Sequence, residues 1–175
     1  MLTDFTRDAL FTTGWFGLMA VVWFGWAQED PPTRWRARLG AGSVLGLLLT
    51  AGATVLVVQR WADPSALEGR YPWFGVLVAT EVLAAGIGCW VLARRRETRW
   101  MAWWVALVVA LHFIPLAFLL DDPTLAVAGG ALAVVLGLLV PRLRRRPGPT
   151  SSVVGAVMGG SLLGLSALAG AVALV

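Results

Sequence analysis

Two ionisable residues in this chain stand where water does not ordinarily reach. Glu81 and His112, the only histidine, each lie midway along an unbroken apolar stretch. The remaining carboxylates (Asp4, Asp8, Glu29, Asp30, Asp63, Glu68, Glu97, Asp121 and Asp122) fall between such stretches or at their ends. A carboxyl group and an imidazole in an apolar medium can hold one proton between them, and an ionisable side chain at membrane depth is costly enough to default to function. The chemistry on offer is uptake and release of a proton, or of a small solute that carries one. The competing reading is a hydrogen bond that ties two helices together.

Their spacing carries the argument further. A turn centred between Arg96 and Glu97 would fold the two stretches into an antiparallel hairpin. Glu81 lies about 15 residues before that centre and His112 about 15 after it, so the pair shares one depth. Each is roughly nine residues from its far end, Pro72 or Asp121, or about 13 Å inward by helical rise. Ala84, Ala85 and Gly88 share the face of Glu81 and turn it toward another helix rather than lipid. Pro115, three residues after His112, removes the backbone donor that would bond Leu111 carbonyl, a recurrent device beside intramembrane sites. Thr50 and Thr54 are expected to add hydroxyls to the same cavity or to bond their own helix. Cys89 is the one other titratable side chain within an apolar stretch.

The elements that position these groups follow from composition. Of the 175 residues, 58% are hydrophobic and 14% charged, with mean hydropathy +0.77, against about 45–50% and about 25% in soluble domains. Runs long enough to cross about 30 Å of hydrocarbon occur at about 9–27, 39–59, 73–93, 101–120, 124–140 and 151–175. The expected fold is all-α: a polytopic membrane protein, one transmembrane domain over 1–175, with six helices in three hairpins joined by basic cytosolic turns. The first stretch is expected to be a span rather than a removable leader, because no positive excess precedes it and no small-residue cleavage site follows.

Arginine sets the expected orientation, for there is no lysine. Arg34, Arg36 and Arg38, then Arg94, Arg95, Arg96 and Arg99, then Arg142, Arg144, Arg145 and Arg146 occupy alternate loops. Only Arg7, Arg60 and Arg70 fall on the other side. Short basic loops remain cytoplasmic, which places both chain ends outside the cell membrane. The same alternation explains the sequence pI of about 10.9 through contact with lipid headgroups; no nucleic acid is needed. Trp23, Trp26, Trp35, Trp90, Trp100, Trp103 and Trp104 cluster toward the basic side and Trp61, Tyr71 and Trp73 toward the other, as an interfacial aromatic belt requires. Trp15 alone sits deeper. In the outer loop, Asp63, Pro64 and Gly69 have the order of cap, first turn and stop of a short helix.

Small residues mark where helices approach closely. Gly42 and Gly46 lie four apart, as do Ala84 and Gly88. The sixth stretch carries Gly155/Gly159 and Gly160/Gly164 on more than one face, which points to a central place in the bundle, a homo-oligomer, or contact with a membrane partner. One cysteine and one histidine exclude an internal disulfide and a Cys/His zinc cluster, so no metal and no cofactor is expected. No phosphate-binding or dinucleotide-binding glycine pattern opens a helix.

The segment Leu111-His112-Phe113-Ile114-Pro115-Leu116-Ala117 resembles one found in small bacterial six-helix integral membrane proteins of unknown function, in which a helix reads His-Phe-x-Pro-Leu-Ala before a short outer turn. The resemblance covers about one span, together with size and helix count. It implies an architecture and a marked position, His112, but no reaction. The lysine-free, Ala/Gly/Val-rich composition also resembles that of proteins from GC-rich bacteria, and so implies a bacterial inner membrane.

Two functions fit these residues. The first is a small transporter or channel-like protein for protons or a small solute, with Glu81 and His112 as its protonatable site. The alternative is a non-catalytic membrane component that packs with itself or a partner through its glycine-rich helices. An enzyme acting on lipid through Asp63, Glu68, Asp121 or Asp122 ranks third.

Overall fold

Each of the six apolar stretches forms one helix in the computed structural model, which describes residues 5–174. The helices are α1 (Thr6–Ala27), α2 (Thr33–Gln59), α3 (Tyr71–Arg94), α4 (Met101–Leu119, entered through a single 3-10 turn, Thr98–Trp100), α5 (Pro123–Arg145) and α6 (Ser151–Ala173). Asp4 and the last residue of the sixth expected span, Val175, lie outside the described residues. All six helices are long and apolar enough to cross a membrane, and no strand occurs among the described residues. The fold is an all-α six-helix bundle.

Two helices extend beyond the expected spans into the basic segments. α2 begins at Thr33, so Arg34, Arg36 and Arg38 lie on its first turns rather than in a loop. α5 continues through Pro141 to Arg145. Arginine is a good helix former, and its long stem lets the guanidinium reach water from a helix end. Near a membrane boundary, continued helical hydrogen bonding satisfies backbone that would otherwise face hydrocarbon.

The expected short helix after α2 is not formed. Ser65 rather than Asp63 is the capping group: Leu67 N–H donates to Ser65 Oγ (3.1 Å), and Ser65 N–H donates to Glu68 Oε1 (3.3 Å). This reciprocal spacing makes a one-turn capping box, and Gly69, at φ +76°, stops it at once. Asp63 instead sits 3.9 Å from Arg60. Asp122 does cap α5, accepting from Thr124 N–H at 3.1 Å and from the Thr124 hydroxyl, with Pro123 in the first turn.

α1 is the hub. It packs lengthwise against both α2 and α6, while α4 packs against α5 and α3 and touches α6. The α1–α2 seam is backbone on backbone: a Cβ at Gly17 would stand 2.8 Å from Gly46 carbonyl, and one at Gly46 would stand 2.7 Å from Gly17 carbonyl. On the other side of α1, Gly155 lies against Trp23 carbonyl and Ala27, and Gly159 against the Phe24 ring. Ser166 Oγ donates to Thr13 carbonyl at 2.6 Å in the same buried seam. Gly160 and Gly164 have nothing within 4 Å of a built Cβ and lie on the outward face of α6. The two glycine pairs of α6 therefore do different things: one packs the bundle and the other leaves a smooth outer groove.

Turns tie the helices at both ends. At the arginine-poor end, Asp8 Oδ2 accepts from Ala66 N–H (2.7 Å), and Arg70 reaches Asp121 Oδ2 (2.8 Å) and Leu119 carbonyl (3.2 Å). At the arginine-rich end, Arg99 Nη2 donates to the carbonyls of Leu143 and Arg146, each at 2.8 Å, and so caps the end of α5. Large apolar side chains cover the outside, including Phe118, Val127, Leu48 and Leu138. A water-soluble surface rarely presents apolar patches so extensive, whereas a lipid-facing one requires them.

Candidate functional site

α3 is held along one face only. Phe74, Leu77, Val78, Glu81, Ala84, Ala85, Gly88 and Cys89 recur at helical spacing and are half-buried, while no described residue of this helix is fully buried. Its packing partner is α4. The attachment is specific: Trp104 Nε1–H donates to Ala84 carbonyl at 3.0 Å, and the indole lies over Gly88, where any Cβ would collide with it. That contact fixes how α3 is rotated, and one turn further along the same face Glu81 points at α4.

Glu81 Oε2 and His112 Nδ1 stand 3.3 Å apart. This is ion-pair distance, but the angle at the imidazole does not make a hydrogen bond, and the buried Nδ1 has no hydrogen-bond partner among the described residues. The carboxylate and imidazole are thus adjacent without a hydrogen bond at Nδ1. The two groups are unequally covered: the His112 side chain is 9% exposed and that of Glu81 22%.

Both groups line a cavity of about 550 Å³, within the range of small-molecule sites. α1 supplies one wall through Phe11, Trp15, Phe16 and Met19. α3 supplies Phe74 and Val78, and α4 supplies Val109 and Phe113. Phe16 and Phe113 stack across the floor with ring centroids 5.3 Å apart. Toward the arginine-poor end the lining turns polar, with Arg7, Asp8, Ser65 and Tyr71. There Arg7 donates to Trp61 carbonyl (2.8 Å) and to Tyr71 Oη (3.3 Å), bridging α1 to the start of α3. The lining is therefore mostly apolar, with ionic groups toward the arginine-poor end and an acid–base pair at one point.

The other expected site residues are not brought to it. Thr50 Oγ1 donates to the carbonyls of Gly46 (2.8 Å) and Gly14 (3.1 Å), and Thr54 Oγ1 to Thr50 carbonyl (2.7 Å). Both sit on α2; the Gly17–Gly46 contact turns Thr50 toward α1, and Thr54 is exposed. Neither lines the cavity. Pro115 is exposed beside Leu111, Ile114 and Phe118. It lies three residues from His112, about 60° round the helix, yet on the exposed side of α4. Gly155 and Gly159 pack against α1, away from any partner surface.

The cavity wall contributed by α1 was not visible in the sequence, which gives no indication that α1 and α3 flank the same space. One signal pointed there: Trp15 departs from the aromatic belt, and it is half-exposed on the cavity wall. No group of three His, Cys, Asp or Glu side chains suited to a metal ion occurs among the described residues. Comparison with protein families, curated proteins and solved structures gave no match.

Proposed function

We propose that this chain is a small multi-pass transporter or channel-like protein of the cell membrane, and that Glu81 and His112 are its protonatable site. The supporting observation is that one cavity reaches both groups. The pair stands at ion-pair distance, and the imidazole Nδ1 has no hydrogen-bond partner among the described residues. The walls select for a small solute with an apolar body and one polar or basic head. The body would lie among Phe11, Trp15 and Phe74, and the head would meet the carboxylate.

The test is flux. Purified protein in proteoliposomes holding a trapped pH dye is given a pH gradient, with and without a panel of small hydrophobic amines. Proton movement that depends on the protein and is lost in Glu81→Gln is the expected result. No flux above empty liposomes under any condition would sink the reading.

In this arrangement the arginine-rich end faces the cytosol and both chain ends face outward. After Cys89→Ser, Asp63→Cys is expected to react with a membrane-impermeant maleimide on intact cells, and Thr98→Cys only after lysis. The reverse pattern overturns the orientation.

A second reading, association with another copy or a membrane partner, is favoured by the open face at Gly160 and Gly164. Gly164→Leu is expected to leave the fold intact and to abolish any oligomer or co-purifying partner. An unchanged assembly in that variant removes α6 as the contact.

A further inference from the structure

The arginine-rich end holds a second cavity, of about 420 Å³, between the end of α1, the turn into α4 and the start of α6. Two buried polar atoms on its lining residues, Ser151 Oγ and Arg99 Nε, have no hydrogen-bond partner among the described residues. Ser151 is 1% exposed. A buried hydroxyl or guanidinium N–H without a partner is costly, and native structures seldom retain one without use. Ser151 is also the first residue of α6, a helix of 23 residues, so the positive end of that helix dipole lies at the same wall. Helix N-terminus, hydroxyl and guanidinium together make a receptor for a phosphate group.

The lining of this cavity also carries negative charge. Glu29 lines it, and Asp30 Oδ2 borders Gly148, another lining residue. Trp26 adds an apolar plane. A ligand with negative charge alone would meet these carboxylates unfavourably. One bearing a phosphate and an ammonium a few bonds apart would satisfy both kinds of group.

We propose that this cavity binds an aminophosphate headgroup, with its phosphate at Ser151, Arg99 and the start of α6 and its ammonium at Glu29. The site stands at the belt of Trp26 and Trp100, the depth at which lipid headgroups lie. It is independent of the Glu81–His112 cavity.

The experiment is native mass spectrometry of the detergent-purified full chain, incubated with equimolar dioleoyl-phosphatidylethanolamine and dioleoyl-phosphatidylglycerol. The expected result is retention of the ethanolamine lipid over the glycerol lipid by about tenfold. Unsorted attraction to arginines gives the opposite order. Ser151→Ala is expected to lower retention while leaving the lipid-free chain as stable or more so, because it removes a partnerless buried hydroxyl. Glu29→Gln, an exposed change that spares the fold, is expected to bring the two lipids to parity. Displacement by glycerophosphoethanolamine assigns the site to a soluble headgroup, and resistance to it assigns the site to membrane lipid; either outcome supports the aminophosphate site. Equal retention of the two lipids, preference for phosphatidylglycerol, or unchanged retention in both variants overturns it.

Discussion

Glu81→Gln is expected to reduce protein-dependent flux to the level of empty liposomes while the chain remains folded. The amide keeps the size and hydrogen-bonding reach of the carboxyl group but cannot exchange a proton. Glu81 lies on a cavity wall and not in close packing, so the substitution removes no apolar contact. Thermal unfolding in detergent is expected to shift by no more than a few degrees, because the amide keeps the shape of the carboxyl group at a partly covered cavity wall. His112→Gln is expected to alter the pH at which flux changes rather than to abolish flux. In this geometry the imidazole is the more covered partner, and the carboxylate has the freer access to the cavity. If the pair is merely a tie between α3 and α4, the pattern inverts: flux is untouched and stability falls in both variants. Measuring flux and unfolding on the same preparations separates the two.

How much of this was readable beforehand depends on which interaction is asked about. Helix number and the apolar part of each helix follow from hydropathy and length, because hydrocarbon thickness imposes them on any chain; the basic extensions of α2 and α5 do not. The shared depth of Glu81 and His112 follows from counting along a hairpin, since helical rise is fixed. That they also share a facing does not follow from counting. It rests on one contact, the Trp104 indole against Gly88 and Ala84, and in sequence that indole is indistinguishable from its belt neighbours Trp100 and Trp103. The order of helices around the bundle was also hidden. α1 has the lowest mean hydropathy of the six yet is the most enclosed, whereas the more apolar α3 buries no described residue fully. In lipid, apolar character does not mark the inside. Small residues do, but they mark it ambiguously: Gly155 and Gly160 look alike in sequence, and one is packed while the other is open. For Thr50 the reading that holds is the bond to its own helix, and the further bond to Gly14 depends on the Gly17–Gly46 approach.

Gly46→Val is expected to prevent assembly of the bundle. A Cβ there already falls 2.7 Å from Gly17 carbonyl and 3.0 Å from Val21 Cγ2. The first of these is backbone in the middle of a helix and cannot swing aside. α1 and α2 would have to separate along their length, opening the seam that also carries the Thr50 hydroxyl bond to Gly14. The expected loss is about 3 kcal/mol or more, at the upper end for overpacking, which is a large share of the stability of an ordinary domain. The measurement is thermal unfolding in detergent, with aggregation during purification as the extreme outcome. Gly164→Val is the control: with open space around its Cβ, it is expected to unfold within a few degrees of the parent. Equal behaviour of the two variants would mean that the α1–α2 seam is not as close as described.

The pairing of α1 with α6 has a consequence for biogenesis. Of the six helices, α1 leaves the ribosome before the others, yet the groove between Trp23 and Ala27 that receives Gly155, and the Thr13 carbonyl that receives Ser166, are filled only by the helix made last. During synthesis α1 therefore waits with the face that receives α6 unmatched. A nascent chain arrested before Ser151 would be a substrate for membrane quality control, however well its first five helices had inserted.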